Sequence, residues 1–387
     1  MGLEKMQKKQ LAGLLIASGI GVGAHAQSSV TLYGLIDQGL TYTSNVQGHS
    51  NWELMSGEAQ GSRWGLKGSE DLGGGLQALF RIENGFDASS GRLMEGGRMF
   101  GRQAYVGLSK DGIGSLTFGR QYDSLVTFLG PLTANGNWGG FMFDHPYGND
   151  NTDNFFRLDN AVQFNSANWS GFQLSTAYAF SNSAGQFSKN NAQSVGAGYT
   201  NGPLTIGVGY LNVNDPGANT VGAVTTDDAG FLASRQTVYG AGVSYKLGQS
   251  TLGFVYTHTD LKDPTSFQFI SGSIVPPGQT LSSLKFDNFE VNATYYATPA
   301  LLLGAMYYYT QGKLDASASD AKLHWQMVGL IADYTLSKRT DVYIAGTYMK
   351  VNGNSGTALD KAYMTAADDS SSGREQVMAR IGLRHTF

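Results

Sequence analysis

Apolar and polar residues alternate with period two from one end of the chain to the other, as they do in strands with one face in water and the other in an apolar medium. In residues 29–42, Val30, Leu32, Ile36, Leu40 and Tyr42 share one face, opposite Thr31, Tyr33, Asp37 and Thr41. Residues 75–86 set Leu76, Ala78, Phe80, Ile82 and Phe86 against Gln77, Arg81 and Glu83. The same alternation runs through residues 172–180 and 235–247. It ends with Val377, Ala379, Ile381, Leu383 and Phe387 against Gln376, Arg380, Arg384 and Thr386.

A soluble β-sandwich also alternates, so three further features decide between the readings. The expected strands reach ~9–11 residues or more, the length of strands that cross a bilayer. Aromatics collect near strand ends on the apolar face (Tyr42, Trp64, Tyr178, Tyr199, Tyr210, Tyr245 and Tyr256), as an interfacial girdle requires. Connections alternate in length. Short ones fall at 70–74, 111–112, 170–171, 201–203, 248–249, 297–299 and 337–339. Long polar ones fall near 44–61, 87–100, 123–156, 181–191, 213–233, 261–285, 311–322 and 352–373. Seven short turns and eight long loops join sixteen strands, an even number that closes with no edge left over. The expected fold is all-β: a 16-stranded antiparallel transmembrane β-barrel.

The first residues change the picture of the chain's destination. Lys5, Lys8 and Lys9 precede an apolar stretch from Leu11 to Val22 and then Ala24-His25-Ala26, the layout of a secretory signal peptide. The stretch is too short to span a bilayer as a helix, which needs ~20 apolar residues. The expected division is a leader over 1–26 and one barrel domain over 27–387. The net charge is −4; the leader, with three Lys and one Glu, carries +2, so the remaining 361 residues stand at −6. Such a balance offers no basic footprint for nucleic acid. The absence of cysteine excludes a disulfide framework and a thiolate metal site.

The segments Ser29-Val-Thr-Leu-Tyr-Gly34, Ser62-Arg-Trp-Gly-Leu-Lys-Gly-Ser-Glu-Asp-Leu-Gly-Gly-Gly75, Phe100-Gly-Arg-Gln-Ala-Tyr-Val-Gly-Leu108, Phe118-Gly-Arg-Gln-Tyr-Asp123 and Ile381-Gly-Leu-Arg-His-Thr-Phe387 resemble those of the general diffusion porins of proteobacterial outer membranes. The resemblance runs in order along the whole chain after the leader. It implies a homotrimer of barrels among outer-membrane lipid and lipopolysaccharide. Each barrel would pass small hydrophilic solutes and ions through a pore narrowed by an inward-folded third long loop. It also implies that Phe387 presents an aromatic terminus to the barrel-assembly machinery. The loop at 123–156 stands in the right place and holds Asp123, Asp144, Asp150 and Asp153. In the family, such acidic groups face a basic ladder, and the matching positions are Arg63 and Arg102, with Arg157 a further candidate.

Alternation independently points Arg63, Lys67 and Arg81 inward. Parity groups Arg102 with Ala104, Val106 and Leu108, on the outer face unless a bulge or a buried subunit contact reverses it. Arg120 shares parity with Leu116 and Phe118. Arginines on the wall favour anions and acidic loops favour cations. The resemblance, which puts the arginines nearest the path, tilts the expectation toward anions.

No motif argues for an enzyme. The six His stand apart at 25, 49, 145, 258, 324 and 385, and neither a Gly-x-Ser-x-Gly elbow nor a phosphate loop occurs. The run Gly148-Asn-Asp-Asn-Thr-Asp-Asn154 lacks the order and terminal Glu of a calcium loop. No cofactor or metal is expected. The rival readings are a barrel enzyme of lipase or protease type, a substrate-specific porin, and a soluble or adhesive β-protein.

Overall fold

A computed structural model describes residues 29–387; the leader expected over 1–26 lies outside the described residues. Strand β1 is Ser29–Val46, and β2 runs in two segments, His49–Ser56 and Arg63–Gly73. Next come β3 (Leu76–Gly85), β4 (Gln103–Lys110) and β5 (Gly114–Gln121). They are followed by β6 (Leu158–Ser166), β7 (Phe172–Ala179), β8 (Ala192–Asn201) and β9 (Leu204–Asn214). Then come β10 (Arg235–Leu247), β11 (Ser250–Lys262) and β12 (Leu281–Thr298). The ring ends with β13 (Leu301–Ala316), β14 (Ala321–Ser337), β15 (Thr340–Gly353) and β16 (Glu375–Thr386).

Each strand pairs antiparallel with its chain neighbours, and β1 closes the ring on β16 from Leu35↔Thr386 to Thr43↔Met378. Closure satisfies every backbone group without an edge, the condition for strands in lipid. The alternation seen in the sequence becomes the two faces of the wall. Val30, Leu32, Ile344 and Ile381 are exposed outward, while Asp37, Thr41, Gln376 and Arg380 are buried inward. Phe387 exchanges two backbone hydrogen bonds with Gly34, and its ring lies over that glycine.

Two connections read as long loops are short. The segment 44–61 contains a tight turn, Gln47-Gly48, after which β2 begins at once. Both turn residues have positive φ, 52° and 98°, as the two-residue hairpin turn matching strand twist demands. At 311–322 the strands β13 and β14 continue to Ala316 and from Ala321. Polar residues such as Asn51, Glu53, Gln311 and Lys313 belong to strands rather than loops.

An apolar core fills part of the lumen. On β12 to β15, Phe286, Tyr308, Trp325, Met327 and Met349 are buried on the inner side. The loops supply Trp138, Phe143, Tyr147, Phe231, Phe267 and Tyr363 to cover them. Burying such side chains contributes about 1.5–3 kcal/mol each. This core holds the loops against one wall and leaves the water path along the other.

Candidate functional site

The loop after β5 enters the lumen through a capped helix. Asp123 caps α1 (Ser124–Phe128), its carboxylate accepting the Leu125 and Val126 N–H at 2.6 and 3.3 Å. The helix lies on a floor with no side chains, two rows of glycine across β8, β9 and β10. Gly198, Gly207 and Gly242 are in register, as are Gly196, Gly209 and Gly240. A Cβ on Gly207 would come within 2.2 Å of the Phe128 carbonyl, and one on Gly209 within 2.7 Å of Leu125 Cδ2. Sequence reasoning missed this seat. Its signal was Gly-x-Gly on three successive strands.

Farther along, charge pins the loop to the wall. His145 Nδ1 lies 2.7 Å from Asp150 Oδ2, and Nε2 lies 3.1 Å from Glu290 Oε2 on β12. Burial alone would lower the His145 pKa, but the two carboxylates outweigh it and hold the imidazolium well above the usual histidine range. The same cation keeps Asp150 ionised against burial. Glu290 also accepts the Ala134 N–H at 2.8 Å, and Gln236 and Thr259 donate to the Asn149 carbonyl at 3.0 and 3.1 Å.

These bonds correct the expected role of the loop carboxylates. Asp123, Asp144 and Asp150 are buried and turned into the loop, because the cap, Asn135 and His145 claim their oxygens. Of the four, Asp153 alone borders the lumen. Burial beside Asp144 pushes Asp153 up to about 6, and Asp144 itself is raised well above the usual range by burial and by Asp153.

The opposite wall is basic. Arg63 and Arg81 border a cavity of about 470 Å³ on the short-turn side of the loop. Lys67 stands exposed as the cross-strand partner of Arg81; its ammonium lies 5.5 Å from the Tyr33 ring centroid and the Arg81 guanidinium 5.3 Å. Among the described residues, no carboxylate lies within 4.0 Å of Arg63, Lys67 or Arg81. Arg102 and Arg157 are compensated. Arg102 pairs with Glu83 at 2.9 Å and Glu95 at 3.6 Å and donates to the Tyr122 hydroxyl, while Arg157 lies 3.6 Å from Glu95.

Parity misplaces Arg102 because it precedes the regular part of β4 and bends inward, its N–H bonded to the Glu83 carbonyl. Arg120 is likewise displaced by a bulge between Gly119 and Gln121 and buried against Asp159 and Asp228 at 2.6 and 2.8 Å. An outer cavity of about 710 Å³ meets the lower one at Gly57, Glu58, Gly61, Arg102 and Phe141. That ring is where the two cavities join.

Residues 12–354 match the sequence family described as Gram-negative porin. An outer membrane porin protein of Bordetella pertussis is 31% identical, over 99% of this chain and all of the relative. The solved anion-selective porin from Comamonas acidovorans superimposes with a TM-score of 0.69 at 25% identity, covering 93% of this chain and 100% of that one. The trimer form of an in-vitro folded outer membrane protein of Vibrio cholerae shares the fold with a TM-score of 0.62 at 18% identity, over 93% and 99% of the two chains.

Proposed function

The chain belongs to the Gram-negative porin family, and from that premise we propose that its pore prefers anions. The barrel is a passive channel of the outer membrane, and its relatives are channels rather than enzymes. One observation carries the preference. Arg63, Lys67 and Arg81 have no carboxylate partner within 4.0 Å among the described residues, while three of the four loop carboxylates are occupied inside the loop. Charge without a carboxylate partner along the water path sets selectivity at close range. Anion selectivity in the Comamonas acidovorans protein supports the same reading.

The barrel is read as non-catalytic, with small hydrophilic anions as its cargo and neither metal nor cofactor. The belt of outward apolar side chains fits lipid and, over part of its circumference, two further copies in a homotrimer. Contacts with lipopolysaccharide, delivery to the assembly machinery through Phe387 and cleavage of the leader before Gln27 complete the proposal. The test is the reversal potential in a KCl gradient across a planar bilayer. An anion-selective sign supports the reading, and a cation-selective sign refutes it.

A further inference from the structure

Strand β2 leaves the sheet for six residues, although β1 runs past it unbroken. β1 pairs with the two segments through Gln38↔Ser56 and Leu35↔Arg63, so only Ile36 and Asp37 face the gap that residues 57–62 fill. The surplus residues fold into the lumen, and a single residue holds them there. The Gly57 N–H donates to the Asp37 carbonyl at 2.8 Å, and the Ala59 and Gln60 N–H groups donate to Asp37 Oδ2 at 2.8 and 2.9 Å. The Asp37 N–H donates to Ser62 Oγ, whose hydroxyl donates back to the Asp37 carbonyl, at 3.0 and 3.1 Å. Asp37 Oδ1 is fixed in turn by the Tyr343 hydroxyl at 2.6 Å and Arg380 Nη2 at 3.2 Å. The Asp37 and Arg380 side chains are wholly buried. A buried carboxylate with this many donors has one geometry available to it.

What it holds meets the constriction loop head-on. The Phe141 N–H donates to the Glu58 carbonyl at 2.9 Å, and Gly140, at φ 75°, lies so close that a Cβ would be 1.8 Å from that oxygen. Gly57, Glu58 and Gly61 border both cavities at their junction. The loop is anchored on the wall of β8 to β14, so the near side of the ring comes from this segment.

We propose that residues 57–62 are a second constriction element, positioned by Asp37, and that the width of the pore is set by this segment and the long loop together. The inference rests on the reading of the barrel as a passive channel, and it adds a size-determining element outside the long loop.

The chain has no cysteine, so Gly61→Cys introduces a unique thiol. Its Cβ meets only the guanidinium of Arg102, whose Nη1 lies 2.8 Å away. Treating open Gly61→Cys channels with a charged methanethiosulfonate should lower conductance about twofold or more, because the adduct stands at the junction of the two cavities. Unchanged conductance, with the adduct confirmed by mass, overturns the proposal. Deleting residues 58–61 leaves two residues opposite Ile36 and Asp37. Single-channel conductance should then rise about twofold and liposome swelling should admit larger sugars. A folded deletion variant with unaltered conductance and size limit overturns the proposal. Asp37→Asn, whose one amide oxygen is kept by Tyr343 and Arg380, turns its NH2 toward the Ala59 and Gln60 N–H groups and should raise conductance in the same direction at normal trimer yield. An assembled Asp37→Asn channel of wild-type size limit overturns the positioning role. Wild-type protein without any conductance would instead refute the channel reading itself.

Discussion

Replacing Arg63 and Arg81 together with glutamine removes two lumen cations without disturbing an ion pair, since neither has a carboxylate within 4.0 Å among the described residues. The size of the effect follows from the dimensions of the path. A sphere of 470 Å³ has a radius of about 5 Å, so an ion on the axis passes ~5–6 Å from a charge on the wall. At that distance two unit charges interact by about 0.7 kcal/mol in water, and about half of this survives at ~0.1 M salt. Two lost charges then cost an anion about 0.7 kcal/mol and favour a cation by the same amount, so the anion-to-cation permeability ratio should fall about tenfold. At ~1 M salt, with a screening length of ~3 Å, the change should shrink to about twofold. The assay is the reversal potential of reconstituted channels in KCl gradients at both ionic strengths. An unchanged ratio at low salt, in a double variant that assembles and conducts normally, refutes the assignment of these arginines.

Lowering the pH from 7 to 5 crosses the value of about 6 for Asp153, which borders the lumen. Protonation removes a negative charge, so anion preference should increase as pH falls, and Asp153→Asn should abolish the shift in reversal potential. Gly207→Val places a side chain against the Phe128 carbonyl and should lift α1 from its floor. Overpacking of this kind costs about 1–3 kcal/mol, measured as a lower unfolding midpoint in denaturant together with altered conductance. Deleting Phe387, which closes on Gly34, should reduce the yield of heat-resistant trimer on gels; unaltered yield and heat resistance would count against an assembly role.

The barrel was legible because alternation is a local property: residues 29–42 and 376–387 declare both faces of their strands without reference to anything else. Strand ends were not, because above the lipid both faces of a strand are wet. Residues such as Asn51, Gln311 and Lys313 therefore look like loop although they pair regularly. The loop carboxylates misled for the opposite reason. An aspartate in a polar stretch reads as solvated, and what buries Asp150 is His145 beside it and Thr257 more than a hundred residues away. Glycine hid the seat of α1. On single strands Gly-x-Gly looks like indifference to side chains, and only the register of β8, β9 and β10 turns six glycines into one flat floor. The interruption of β2 was hidden within a supposed long loop, since residues 57–62 owe their place to Asp37 on the strand before.

The most direct test of the account is the reversal potential of the wild-type protein, purified in detergent, inserted into a planar bilayer and held in a tenfold KCl gradient at ~0.1 M mean salt and neutral pH. The expected result is stepwise ohmic conductance and a reversal potential displaced toward the chloride equilibrium value, with the displacement shrinking as salt is raised. A potential displaced toward the potassium value, or no conductance from correctly assembled protein, would contradict it.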